Sequence, residues 1–166
     1  SPAGDGLLAM FGLEAKIELI STKGERKVLI EDFIIGPKKT CRRPDELIKG
    51  FRIPKNSYDY QKFFKIGKRN ALAISIVNGV IGLKFDKSKS ISDALIVLGS
   101  VAPTPIRLKE AEKILKGKKY NDKLGLDLRQ EITSALSPIT DIRASKEYRK
   151  YIAGVMCNRI IKTALK

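Results

Sequence analysis

The sequence predicts an α+β fold in which a run of antiparallel strands is followed by three helices. Three observations predict it. Apolar residues alternate with polar ones through much of the first hundred positions, the period of a half-buried strand. The connections between these runs are a few Gly, Asn, Lys and Ser residues, too short for crossover helices, so the strands form hairpins and a meander. After Thr104 the period lengthens to that of a helix, with start and stop signals around each run. A sheet with helices packed on or beside it follows.

Each element has its own signal. Asp5 ahead of Leu7, Leu8, Met10 and Phe11 predicts a short helix capped by Asp5 and ending near Gly12. Ala15, Ile17 and Leu19 alternate with Lys16 and Glu18 as a strand, Ser21 to Arg26 turns, and Lys27 to Ile30 returns as its hairpin partner. An irregular loop runs through Gly36-Pro37-Lys38-Lys39-Thr40. A strand from Glu46 to Ile53 stops at Pro54, which has no N–H for a ladder. The polar, turn-rich Pro54-Lys55-Asn56-Ser57 marks a domain boundary that divides the chain into residues 1–54 and 55–166.

Beyond it, strands are predicted at Tyr60 to Lys65, Ala71 to Val77, Val80 to Phe85 and Ala94 to Gly99. Thr104-Pro105 reads as N-cap and first residue of a helix that carries Leu108, Ala111 and Leu115 as far as Gly117. Leu124, Leu128, Ile132 and Leu136 form a second helical stripe, stopped by Ser137-Pro138. Tyr148, Ile152, Met156, Ile160 and Ala164 form a third behind the cap Ser145. All three stripes read as core-facing.

Composition narrows the function. A chain of 166 residues, 43% of them hydrophobic, can bury a real core. No run approaches the roughly 20 apolar residues of a membrane span, so a soluble, cytoplasmic chain is expected. Ser1-Pro2-Ala3-Gly4-Asp5 has neither an initiator methionine nor a signal pattern and reads as a cut or processed end. The chain has no histidine, which excludes Ser-His-Asp and Cys-His nucleophile systems and HExxH zinc chemistry. Cys41 and Cys157 lie far apart with no ligand spacing, which leaves zinc and iron–sulfur sites without ligands and suits idle thiols. If the chain is an enzyme component, its chemistry is therefore expected to belong largely to a cofactor.

The net charge of +15, from 33 basic and 18 acidic residues, admits a nucleic-acid-binding module. The basic residues are nevertheless scattered, with short clusters at Lys38-Lys39, Arg42-Arg43, Lys68-Arg69 and Lys116 to Lys119. A lysine-rich solvated surface, or docking to an acidic partner subunit, explains that scatter equally well.

Four segments then carry a resemblance. The first is Ser1-Pro2-Ala3-Gly4-Asp5 with its Leu-rich helix and Leu13-Glu14-Ala15. The second runs from Glu31-Asp32-Phe33 through Gly36-Pro37 and Lys39-Thr40 to Arg43-Pro44-Asp45-Glu46-Leu47 and Arg52-Ile53-Pro54. The third is Lys62-Phe63-Phe64-Lys65 with Arg69-Asn70-Ala71-Leu72 and Ile74. The fourth is Gly99 to Arg107, reading GSVAPTPIR, with Glu110-Ala111-Glu112, Pro138 to Ser145 and Tyr148-Arg149. In this order and spacing they resemble the FAD-binding medium subunits of molybdenum hydroxylases, the carbon monoxide dehydrogenase, xanthine dehydrogenase and aldehyde-oxidising enzymes. Two positions depart from the family: Ala73 stands where an aspartate is usual and Ser100 where a second glycine is usual, departures that bear on local hydrogen bonding and loop geometry.

The resemblance implies the end of a two-lobed FAD-binding domain followed by a small antiparallel sheet packed with three helices, with the flavin ring near their junction. It implies FAD as cofactor, with the molybdenum cofactor and [2Fe–2S] clusters on partner subunits, and electrons passing through FAD to an external acceptor. Asp5 matches the family aspartate that contacts FAD, Ile48 an apolar position against the ring system, and Lys65 a lysine beside the flavin where a cation stabilises negative charge on the reduced ring. Each also has a plain structural reading: a helix cap, a strand core residue and a solvated lysine. No catalytic or metal-ligating residue is assigned.

Gly99, Pro103, Pro105, Arg107, Asp141 and Arg143 are read as structural, with Arg107 and Asp141 or Arg143 expected to pair between loops or to dock a neighbouring subunit. The Gly-rich pyrophosphate loops of the family's first lobe have no counterpart in these 166 residues, so this chain alone is expected to bind FAD poorly and to be inactive by itself. The alternatives are a basic nucleic-acid-binding module and a flavin-free scaffold subunit.

Overall fold

The computed structural model describes residues 3–55, 58–69 and 72–165. Helix α1 (Asp5–Gly12) leads into a hairpin of β1 (Lys16–Ser21) and β2 (Gly24–Leu29). A single-turn helix α2 (Ile30–Phe33), a small hairpin of β3 (Ile34–Gly36) and β4 (Lys39–Thr40), and strand β5 (Leu47–Arg52) follow. β5 adds antiparallel to the free side of β1, so the first sheet has the order β2-β1-β5. The alternation read for β1 is present: Ile17 and Leu19 are buried while Lys16 is exposed. The stretch read as an irregular loop is instead the β3–β4 hairpin, because Ile34 pairs with Thr40 and Gly36 with Lys39. The loop into β5 is pinned by Arg26, whose Nε and Nη2 donate to the two oxygens of Glu46 at 2.6 and 2.9 Å. That fork, with the Arg43 N–H also donating to Glu46, holds its carboxyl down to about 2.

The main sheet is a meander of β6 (Tyr60–Ile66), β7 (Val77–Phe85), β8 (Ile91–Gly99) and β9 (Ile106–Arg107), antiparallel throughout, as expected. One face carries Val77, Ile81 and Leu83 of β7 with Ile96 and Leu98 of β8. It packs against α3 (Lys109–Leu115), α4 (Asp122–Ala135) and α5 (Lys146–Ala164). The other face carries Val80, Leu95 and Val97 and packs against Leu8 and Phe11 of α1 and Ile17 and Leu19 of β1. Covered on both sides, the central strands lose the polar alternation of a half-buried strand and read as unbroken apolar runs.

That burial explains the main departure from the sequence reading. Asn78-Gly79 is not a turn between two strands: β7 passes straight through it, and residues 72–76 before it carry no strand. Ala71, where a strand was expected to begin, lies outside the described residues, as do Asn56 and Ser57 of the proposed boundary. Glycine is needed at 79 because the ring of Phe64 lies over it; a Cβ there would collide with Phe64 Cε1 and come within 2.8 Å of Leu98 Cδ2. A Cβ at Gly12 would stand 2.5 Å from Val80 Cγ1, so α1 lies flush on β7 at that point.

The helices shift slightly from their predicted frames. Thr104-Pro105 does not open α3: Ile106 and Arg107 pair with Leu98 and Val97 at the open edge of β8, and the helix begins at Lys109. Asn121 and Ser145 cap α4 and α5 by accepting from the N–H of Leu124 and Tyr148. The α4 stripe of Leu124, Leu128 and Ile132 is buried as read. In α5 Ile160 is buried and Ile152, Met156 and Ala164 pack partly against the core as read, but the row Arg149, Ala153, Cys157 and Ile161 beside them is buried more deeply and Tyr148 is exposed. Small side chains at 153, 154 and 157 let this helix approach its neighbours closely, Gly154 lying against Arg129 of α4.

Candidate cofactor site

Lys65 of β6 and Asn78 of β7 are direct cross-strand partners, and β alternation puts both on the α1 side of the sheet. Asp5, in the first turn of α1, meets them there. Lys65 Nζ donates to Asp5 Oδ2 at 2.6 Å, Asn78 Nδ2 to Oδ1 at 2.9 Å, and Ser75 Oγ to Oδ1 at 3.0 Å. Asp5 is thus not the N-cap that its position suggested: Gly4, which has no side chain to cap with, occupies that place. Three side-chain donors on neighbouring segments satisfy the carboxylate better than one backbone N–H would, and the helix N-terminus still favours its charge. Partial burial pushes the Asp5 carboxyl upward, but hydrogen bonds from Lys65, Asn78 and Ser75 outweigh it and hold the group below the ordinary aspartate range.

The pair is open on one side, with 43% of the Asp5 side chain and 31% of the Lys65 side chain accessible. Beneath it Asn78 is fully buried, and its Oδ1 has no partner among the described residues. The FAD implied by the resemblance presents, along the pyrimidine edge of its ring, carbonyl acceptors beside an N–H donor. An ammonium next to a carboxylate is the complement of that edge, so the residues present fit the group. Ser75 and Asn78 were missed in the sequence because Asn78-Gly79 reads as a turn. The register opposite Lys65 is the signal that finds Asn78.

Ile48 lies apart from this pair, on the other sheet. It stands opposite Leu19 at the open edge of β5, 46% exposed, on a strand that also exposes Leu47 and Phe51. The structure therefore joins Asp5 to Lys65 directly and places Ile48 at a separate apolar edge.

Two ion-pair nodes brace the surroundings. Arg107 does not reach Asp141 or Arg143: its Nε donates to Glu112 Oε1 at 3.0 Å and its Nη1 to Glu14 Oε1 at 3.0 Å, tying β9 to α3 and to the end of α1. Asp141 accepts instead from Arg143 Nη1 and Arg149 Nη2, both at 2.7 Å. Arg149 is only 3% exposed, and its Nη1 donates to the carbonyls of Ile76 and Ser100. Burial works against the Asp141 charge, but backbone N–H groups of Arg143 and Ala144 and the two guanidinium groups drive its carboxyl far below the usual range. Through Ile76 this node fixes the end of the loop that carries Ser75. Among the described residues no cluster of His, Cys, Asp or Glu could hold a metal ion, and no helix is long and apolar enough to cross a membrane.

The chain matches known proteins in both sequence and fold. The model of the CO dehydrogenase flavoprotein C-terminal domain matches residues 62–164, and that of the FAD binding domain in molybdopterin dehydrogenase matches residues 1–56. The chain is 34% identical to the carbon monoxide dehydrogenase medium chain of Afipia carboxidovorans, over 98% of this chain and 56% of that one. It is 31% identical to the glyceraldehyde dehydrogenase medium chain of Sulfolobus acidocaldarius, over 97% and 57%. Among solved structures, reconstituted CO dehydrogenase from Oligotropha carboxidovorans superposes with a TM-score of 0.89 at 27% identity, covering 99% of this chain and 57% of that chain. The chain thus spans just over half the length of these relatives. With both halves matched in sequence and the whole fold matched in space, the chain belongs to the FAD-binding medium-subunit family of the carbon monoxide and xanthine dehydrogenase type.

Proposed function

We propose that this chain is the back part of the FAD-containing electron-transfer subunit of a molybdenum hydroxylase, with residues 1–54 ending the FAD-binding domain and residues 55–166 forming the domain that follows. The observation that carries this reading is the Asp5–Lys65 pair, backed by Ser75 and Asn78, at an open rim where α1 meets the main sheet. Bound there, FAD supplies the two-electron chemistry that links iron–sulfur clusters to an external acceptor.

The chain's own residues bind and bias. Asp5 accepts a hydrogen bond from the ring or ribityl chain while Ser75 and Asn78 hold its carboxylate in place. Lys65 presents a fixed positive charge that favours the reduced, more negative cofactor. Ile48, on its exposed strand, offers an apolar contact to the same extended molecule. A molybdenum-cofactor subunit and an iron–sulfur subunit are the partners in this proposal, supported by the relatives' description as medium chains. The two free thiols, Cys41 and Cys157, suit assembly in the reducing cytoplasm.

The test is FAD binding and flavin potential in the complete gene product. Stoichiometric FAD, weaker binding on Asp5→Ala and a more negative flavin potential on Lys65→Met are the expected results. Full-length protein that co-purifies with its partners without FAD would replace this reading with a flavin-free scaffold. The 166-residue chain alone is expected to hold FAD weakly, and tight binding by it would contradict the need for a pyrophosphate-holding segment.

A further inference from the structure

A cavity of about 500 Å³ opens beside the Asp5 site, between the loop before β7, the loop after β8 and the loop before α5. Its walls are mostly apolar, with Ile74, Pro103, Pro138 and Ile139 prominent, and the proline rings give rigid, flat faces. Its polar side is the Asp141 node, where two guanidinium groups share one carboxylate, so the local charge is positive. The two arginines are not equivalent. Arg149 is buried and its Nη atoms are committed to Asp141 and two carbonyls. The Arg143 side chain is 36% exposed, and its Nη1 is bonded to Asp141. Among the described residues no other carboxylate lines the cavity. Ser75, in the cavity wall, is the same residue that donates to Asp5.

We infer that this cavity binds a planar organic anion: a largely apolar ring system seated between the proline and isoleucine walls, with its anionic group on Arg143. Volume, apolar lining and a few convergent polar groups are the attributes of a small-molecule site, and a guanidinium at its rim selects negative charge. A molecule seated here is one side chain, Ser75, from Asp5. In calling it the outer electron acceptor, the inference rests on the flavoprotein reading; in calling it a ligand of this chain, it does not.

The experiment separates the two. Binding of 1,4-naphthoquinone-2-sulfonate and of neutral 1,4-naphthoquinone to the flavin-free chain is measured by calorimetry and tyrosine quenching. The sulfonate is expected to bind saturably and about tenfold tighter than the neutral ring, the effect of one charge-assisted contact. Arg143→Met abolishes that difference and leaves the neutral compound unchanged; Ile139→Asp, at an exposed wall position, weakens both. Neither substitution removes core packing, and urea midpoints confirm that the variants fold. Absence of saturable binding, equal affinity for the two compounds, or indifference to both substitutions overturns the site while leaving FAD binding by the full-length protein untouched. Failure of that protein to bind FAD removes the acceptor role and leaves the anion site standing.

Discussion

Lys65 Nζ stands 2.6 Å from Asp5 Oδ2, tying strand β6 to the first turn of α1 across sixty positions of chain. Because the pair is partly open to water, Lys65→Met is expected to cost no more than about 1 kcal/mol of stability. Its signature lies in titration. The folded-state value of Asp5 is depressed, so its contribution to stability is present above the unfolded aspartate value and fades as pH falls through the folded one. Carboxyl NMR of Lys65→Met should show Asp5 titrating at higher pH than in the parent; an unchanged midpoint would mean that Asn78 and Ser75 alone set it.

The Asp141 node predicts a larger effect. Removing the carboxylate leaves the buried Arg149 without its anionic partner, so Asp141→Ala should lose about 3 kcal/mol in urea unfolding at neutral pH. The folded carboxyl is strongly depressed, so the parent's stability should fall as pH drops below about 4, the unfolded aspartate value. Asp141→Asn should flatten that acid limb. Arg143→Met, which leaves Arg149 paired, should change stability far less.

Packing over β7 can be tested by a double-mutant cycle. Gly79→Ala drives a methyl into the Phe64 ring and is expected to cost about 2 kcal/mol. Combining it with Phe64→Leu should recover much of that loss, and strict additivity would count against the contact.

Ser100 adopts a left-handed conformation, with φ at 65°, and its buried Oγ has no partner among the described residues. Ser100→Gly relieves both penalties. Chemical denaturation should show a gain of about 1 kcal/mol. The Arg149 bond to the Ser100 carbonyl involves only backbone and survives the change.

The two thiols should separate cleanly. Burial pushes the Cys157 thiol up to about 12, while Cys41 is only half-buried. A disulfide reagent at mild alkaline pH should label one thiol in the native chain and two after denaturation.

How far the sequence discloses this structure depends on whether a residue's neighbours lie nearby along the chain. The β1–β2 hairpin and the caps at Asn121 and Ser145 depend on nearby residues; Ser145 was read directly. Continuity of β7 through Asn78-Gly79 depends on Phe64 above and α1 below, and local turn chemistry pointed the other way. Asp5 and Lys65 could be named from resemblance, yet Ser75 and Asn78, which hold Asp5 in place, became visible only once strand register was known. Arg107 was expected beside Asp141 or Arg143 and instead found Glu14 and Glu112, because the pairing of β9 with β8 carries it toward α3 and the end of α1.

Leu8, Phe11, Ile17 and Leu19 from the first third of the chain share a single apolar interior with Val80, Leu95 and Val97 from the main sheet. Hydrocarbon that interleaves in this way cannot be parted without wetting both halves. The chain should therefore melt in one step, and a border between two sequence families here is no hinge. Under the proposed function, a ring held where these parts meet would keep a constant position relative to both of them.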